Sequence, residues 1–426
     1  MHIEHSRLGG MFCFAALTLL PACMASAVPA PEEPAAWTLD AAPGSSAPNL
    51  ARGPDGTLVL SWLETEGRSA ELRFSTLEPE GWGPPRTVAG GDDWFVNWAD
   101  FPSVVPISEN LWAAHWLQLS AGGMYTYDVA IALSRDGGET WDAPVTPHRD
   151  GTASEHGFVS LFPWHGGVGA VWLDGRRTVS EEERGEDGKL NGMTLRSAVL
   201  SPAGDLGHQA EIDGLVCDCC QTDVAIPRSG PVVVYRDRTE AEIRDIQVAL
   251  TDGGRWLDGH PVAEDGWEIA GCPVNGPALA AREDTVAVAW FTMAANVPRV
   301  RYARSMDGGR SFEPPVDLAT DSPEGRVGVV LLDDGGAVVS WLDNPDGKGG
   351  ELVLRHISAD GTPGRRRVIA RTEVTRPAGF PQLAVSGEQL IAAWTDSSGD
   401  KPRVRTARVS LTALRSGEVA GTGAGH

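Results

Sequence analysis

The chain has 426 residues, a formal net charge of −23 and 42% apolar residues, with 51 Gly, 30 Pro and 15 Trp. That charge argues against a nucleic-acid partner or an anionic membrane surface. Long amphipathic helical patterns are absent and the apolar runs are short, which excludes a helical bundle and leaves an all-β chain with ample core material.

Residues 1–27 read as an export signal. Arg7 precedes an apolar stretch over residues 11–20, too short to span a bilayer comfortably. Two processing points fit. Leu20-Pro-Ala-Cys23 resembles a lipoprotein box with Cys23 as the lipidated residue, and Ala25-Ser-Ala27 fits an ordinary signal-peptidase site. Both place the mature chain outside the cytoplasm, periplasmic or at the cell surface, with membrane contact only through a lipid anchor. Residues 28–35 are rich in Pro, Ala and Glu and read as a tether. The expected folded unit covers 36–412, and 413–426 read as a disordered tail.

One phrase then recurs: a run of small apolar residues, an aromatic, an apolar residue and usually a carboxylate. The aromatic stands at Trp62, Trp116, Trp172, Tyr235, Trp290, Trp341 and Trp394, at spacings of 51 to 63 residues. A period of this size built from short apolar runs is the signature of an array of β modules. Each unit has four runs joined by turns, such as Ala47 to Ala51, Leu58 to Glu64, Ala70 to Ser75 and Trp82 to Val88 in the first. Four antiparallel strands per unit make a propeller blade. The expectation is a seven-bladed, all-β propeller, with six blades as the alternative. The seventh unit lacks a clear fourth strand, and Ala36 to Ala41 has no unit of its own. Pairing the two closes the ring and removes its exposed edges. Nothing in the pattern calls for an oligomer, so a monomer is expected.

Between the third and fourth runs sits a recurring turn. It is clearest at Ser134-Arg-Asp136-Gly-Gly138-Glu-Thr140-Trp141 and Ser305-Met-Asp307-Gly-Gly309-Arg-Ser311-Phe312. Asp bonds its own backbone two residues on, Gly supplies positive φ, and the aromatic tucks under the blade. These turns resemble the Asp box of the sialidase-like, or BNR-repeat, propellers over roughly residues 36–410. The resemblance implies a turn that is a folding element, a functional face opposite to it, and an exo-sialidase-type glycoside hydrolase as one reading of function. The chain departs from that pattern in blade number. It has no Arg at the Asp100-Phe-Pro-Ser103 stretch, where the family carries an Arg-Ile-Pro type motif. None of its four tyrosines (Tyr125, Tyr127, Tyr235, Tyr302) lies in the last two units, where the family presents its nucleophile.

If Asp boxes mark the lower face, the loops between second and third strands and the crossings between blades form the upper face. Arg176, Arg236, Arg238, Arg326 and Arg376 gather there, together with Trp94, Trp98, Asp100, Glu155, His156, Glu242 and Arg244. Guanidinium forks suit a carboxylate or sulfate, so an acidic glycan or small anion is the expected ligand. Asp174 and Asp237, at matching positions of adjacent blades, are the candidate carboxyls for hydrolysis. Glu64, Asp343 and Asp396 occupy the same repeat position, which points equally to a structural role. Cys217, Cys219, Cys220 and Cys272 open blades four and five. In an exported chain they read as two disulfides, as a soft-metal site for Cu or Zn, or as a redox-active or reduced cluster. Three functions follow: a ligand-binding propeller of the cell envelope, a hydrolase of acidic sugars, and a metal-handling protein built on the four cysteines.

Overall fold

In a computed structural model the described residues are 35–36, 38–120, 122–123, 125–180, 182–185, 188 and 190–416. The expected export signal, Cys23 and most of the tether lie outside them. No helix among the described residues is long and apolar enough to cross a membrane.

Seven antiparallel sheets follow one another along the chain. Blade one comprises Ser45–Arg52, Leu58–Glu66, Ser69–Glu78 and Arg86–Gly91. Blade two has Ser103–Pro106, Trp112–Leu119 and Tyr127–Ser134, its fourth position held by an Ile131–Val145 bridge. Blades three and four begin at His156–Trp164 and Asp223–Ala225, and blades five and six at Ala278–Arg282 and Pro323–Leu331. Blade seven contains Gln382–Ser386, Gln389–Asp396 and Arg403–Ser410, and its outer strand is Ala35–Ala36, paired with Arg408 and Ala407. Ala35 and Ala36 thus close the ring where the repeat predicts, but of the stretch 36–41 expected to do so only Ala36 is in the strand and residues 38–41 are not. The strand starts one residue inside the stretch read as tether.

The second strand of each blade is the recurrent phrase. It is buried on both faces, as its unbroken apolar run requires; every residue of Gly167–Asp174 is buried. Trp62, Trp172, Trp290 and Trp341 are among the largest fully buried side chains. A buried indole N–H needs an acceptor, and the residue two positions on supplies it in three blades. Trp62 donates to Glu64 at 2.9 Å, Trp116 to Gln118 at 3.3 Å and Trp172 to Asp174 at 2.8 Å. Tyr235 donates instead to Asp213 at 2.7 Å, and Trp290 to Asp265 at 2.7 Å. The carboxylate of the phrase therefore has a structural use at Glu64 and Asp174.

Neighbouring blades are tied at their inner strands by side chains that accept the next blade's backbone N–H. Ser61 accepts from Val104, Asp100 from Phe158 at 2.7 Å, Asp223 from Leu279 at 2.8 Å and Asn275 from Arg326 at 2.7 Å. The inner strands surround a central cavity of about 780 Å³.

The tail read as disordered from 413 begins as a short helix, Leu411–Ser416. Leu411 and Leu414, three residues apart on one side of the helix, are buried against blades six and seven, and Arg415 pairs with Asp334 and Glu388. The apolar spacing in this segment was legible but is only two residues long.

Candidate functional site

The Asp-box turns all lie on one face. In blade two, Ser134 Oγ accepts from Gly138 N at 2.8 Å and donates to Asp136, which also receives Thr140 N at 2.9 Å and Thr140 Oγ1 at 2.6 Å. Blade five repeats the set with Ser305, Asp307, Gly309 and Ser311. Gly138 has φ +85°, and a Cβ there would meet the Trp112 ring at 3.0 Å. Trp141 packs edge-on against Phe74 of blade one, and Phe312 packs against the cluster shared by blades four and five. The Thr140 hydroxyl, then the Thr140 N–H and Ser134, hold Asp136 down to about 2; Ser311 does the same for Asp307.

On the opposite face, over blades two to four, charged groups meet in buried or half-buried positions. His148, from the crossing between blades two and three, and His156, the first residue of blade three, stack at 3.7 Å with planes 6° apart. Asp150 Oδ2 lies 3.3 Å from His148 Nδ1 and 3.3 Å from His156 Nε2. Asp128 approaches the other ring edges at 3.5 and 3.8 Å. Asp174 completes the set 3.8 Å from His156 Nε2. Burial, then the neighbouring imidazole, lowers His148 to about 4. Arg176 is the nearer of two cations on this cluster: it grips Asp174 with Nε at 2.6 Å and Nη2 at 2.7 Å and reaches Asp150 at 3.2 Å, while Arg196 lies 3.9 Å from Asp174. A metal shared by both imidazoles would lie out of both parallel ring planes, away from the nitrogen lone pairs. The guanidinium already fills the position between Asp150 and Asp174.

Four of the five arginines expected to clamp an anion, Arg176, Arg236, Arg238 and Arg326, are engaged by the protein. Arg236 is buried and donates to the carbonyls of Asn275, Arg244 and Phe291 at 2.7 to 3.0 Å, its guanidinium over Trp267. Arg326, also buried, caps the carbonyls of Val374, Thr375 and Gly379 and lies over Trp98; burial lowers it to about 10. Arg238 pairs with Glu242 at 2.6 Å and Asp218 at 3.4 Å, and Arg244 with Glu242 at 2.9 Å. Arg376 is exposed and starts a one-turn helix before blade seven, between the Thr375 and Gly379 carbonyls that Arg326 caps. Asp237 accepts from Gln247 at 2.6 Å and is raised to about 6 by burial and then by Asp213. The structure therefore gathers Arg176, Arg238, Arg244 and Asp174 on one face but does not converge the five expected arginines on one point.

Glu155 and Asp100, like the inner-strand Asp223, have no arginine partner and are raised. Glu155 is half-buried beside Asp218, and burial followed by that like charge raises it to about 7. Asp100 is buried between Phe158 N and the Tyr127 hydroxyl, 3.4 Å away, and is also raised to about 7.

The cysteines lie at the edge of this face. Cys217 to Cys220 is a turn ahead of the first strand of blade four, not part of the strand. Side chains consequently do not alternate: Cys217 faces Cys220 at 2.7 Å between sulfurs, and Cys219 is bonded to Cys272. Two thiolates on one tetrahedral Zn stand about 3.7 Å apart, so this arrangement does not fit a four-thiolate site.

Sequence reasoning missed Asp128, His148 and Asp150. The His-x-Asp at 148–150 followed by Glu-His at 155–156 was the available signal.

No family model matches the chain, and no curated protein matches it. Solved structures match in fold. A protein of unknown function from Dyadobacter fermentans is 13% identical, over 89% of this chain and 97% of that one, with TM-score 0.50. Trypanosoma rangeli sialidase with sialic acid is 12% identical over 86% of this chain and 60% of that one, TM-score 0.47. The polysaccharide lyase Uly1 is 10% identical over 87% and 90%, TM-score 0.48. The protein is a seven-bladed β-propeller, and it resembles the sialidase-like propellers. At these identities the likeness is one of fold.

Proposed function

We propose that the protein is an exported, ligand-binding propeller whose ligand rests over blades two to four and presents hydrogen-bond donors, hydroxyl or amine, to Glu155 and Asp218. The observation that carries this reading is Glu155, half-buried and raised by that burial and by the neighbouring charge of Asp218. A carboxyl held in this way gains on meeting a donor that replaces lost water, whereas an acidic sugar adds a third negative charge. Arg176 and Arg238, the anion clamps expected from the residue pattern, already carry carboxylates in the free protein. A sialidase-type hydrolysis is less supported, because the buried Tyr127 and Tyr235 pair with Asp100 and Asp213 rather than with a glutamate in an open pocket.

Calorimetric titration of the full chain with neutral, amino and uronic sugars tests the reading. Binding of an amino or neutral sugar that Glu155→Gln weakens about tenfold or more supports it. Binding confined to uronic or sialic acids, unchanged by Glu155→Gln, overturns it.

A further inference from the structure

The four cysteines are not equivalent in depth. Cys217 and Cys220 are buried, Cys219 is half-buried and Cys272 is exposed. The sulfurs of Cys217, Cys219 and Cys220 all lie within 4.8 Å of one another. A buried dithiol therefore abuts a disulfide whose outer residue, Cys272, is exposed. We propose that these four residues form a thiol–disulfide relay, in which the buried Cys217/Cys220 pair exchanges with the Cys219–Cys272 bond and so moves a pair of electrons between the interior and the surface of the upper face.

Each step balances within the chain. The Cys217 thiolate attacks Cys219 Sγ, the Cys217–Cys219 bond forms, and Cys272 leaves as a thiolate that takes a proton from solvent. Cys220 gives up its proton and attacks Cys217 Sγ, 2.7 Å away, expelling Cys219, which is protonated in turn. The products are a Cys217–Cys220 disulfide and a Cys219/Cys272 dithiol, with no oxidant or reductant consumed. The exposed Cys272 is then the thiol that meets a disulfide of an outside partner, and the reverse sequence accepts electrons from an outside thiol.

The surroundings favour the attacking thiolate. Arg244 Nη1 reaches Cys217 Sγ at 3.5 Å, and Arg236 lies close behind. Burial pushes the thiol up, but the Cys220 hydrogen bond, Arg236 and Arg244 outweigh it and Cys217 is lowered. Cys220, deeper and beside that thiolate, is pushed up. The carboxylates that face the same arginines are Asp218 at 3.7 Å and Glu242 at 2.9 Å from Arg244, with Glu155 beyond Asp218. They temper the positive field without cancelling it.

The test uses the full-length folded protein. The form with one disulfide is isolated at pH 5, freed of redox reagents and moved to pH 8. Samples are quenched in acid, alkylated and mapped by peptide mass spectrometry. A Cys217–Cys220 linkage should appear while the total thiol number stays constant, at a rate independent of protein concentration. Arg244→Gln should slow this at pH 7 by about threefold for each unit that the Cys217 pKa rises, and the rate should recover at higher pH. Should that variant not fold, Cys220→Ser gives the second arm: the chain should stop at Cys217–Cys219. A linkage that remains at Cys219–Cys272, or that moves only when thiol is added, overturns the relay. So does a chain that passes from two disulfides to none without a one-disulfide form.

Discussion

The two faces of the propeller use the same side chain in opposite ways. On the lower face Asp136 and Asp307 are exposed, receive hydrogen bonds from Ser, Thr and backbone donors, and are lowered to about 2. Toward the upper face Asp100 and Glu155 are buried or half-buried, receive fewer donors, and are raised to about 7. Local sequence supplies the lower set, since every donor to Asp136 lies within four residues. The upper set depends on groups brought from different blades. The lower face thus stabilises its turns whatever else the molecule does. The upper face holds carboxyls in a state that a proton or a ligand can improve, which is the property expected of a binding surface.

The largest expected effect tests whether Asp100 is strained by burial. Its folded pKa of about 7 lies above the unfolded value near 3.8, so the folded chain holds this proton more tightly. Its contribution is fully present below about pH 4 and is lost as pH rises through 7. At 1.36 kcal/mol per pKa unit the loss approaches about 4 kcal/mol by pH 8. Asp100→Asn keeps the acceptor for Phe158 N and removes the charge. Urea unfolding at pH 5 and pH 8 should show a smaller decline for the variant than for the native chain. An equal decline would mean that Asp100 stays ionised and stable, and the contrast between the faces would fail there.

Next comes Arg236, which looked like a ligand clamp but ties the loop at Arg244 in blade four to the crossing at Asn275 and to the blade-five strand at Phe291. Arg236→Met leaves the carbonyls of Asn275, Arg244 and Phe291 without donors, at a cost of about 3 kcal/mol or more. Arg236→Lys recovers only part of this, because one ammonium does not reproduce the fork. On the lower face Ser134→Ala removes the acceptor for Gly138 N and a donor to Asp136, for about 1 kcal/mol. Thermal unfolding should give the same loss at pH 5 and pH 8, since the Asp136 contribution is present above about pH 4 and disappears only as pH falls toward 2.

These variants also mark what was legible. The blade phrase and the Asp box are short-range patterns, and both faces could be assigned from them. Blade closure by the chain start was legible because a strand lacked a unit and a unit lacked a strand. The fate of each arginine was not. Arg236 and Arg326 have the same residue type and repeat surroundings as exposed arginines, and only carbonyls 8 to 55 residues away make them structural. The His148–His156 stack joins side chains across a crossing whose path no local pattern sets. The cysteine linkage was equally hidden, since four cysteines allow three pairings.

Arg238 gives the smallest change in stability and the sharpest choice between ligand types. Its side chain is partly exposed and shared between Glu242 at 2.6 Å and Asp218 at 3.4 Å. Exposed pairs of this kind contribute about 0–1 kcal/mol, so Arg238→Ala should melt close to the native protein. The charge balance changes more than the stability. Without the guanidinium, Asp218 is less neutralised, Glu155 is raised further, and the surface around them becomes more negative. A ligand whose donor is a protonated amine should then bind more tightly, with its affinity falling again at high salt as the added electrostatic attraction is screened. An acidic glycan should instead lose both a partner and a favourable field. The sign of the affinity change measured by titration therefore separates the two ligand classes even where its size is modest. Because Arg238 shares Glu242 with Arg244, the comparison variant Arg238→Lys keeps the charge and removes the fork. If the affinity follows charge, Lys behaves like the native residue; if it follows bidentate geometry, Lys behaves like Ala.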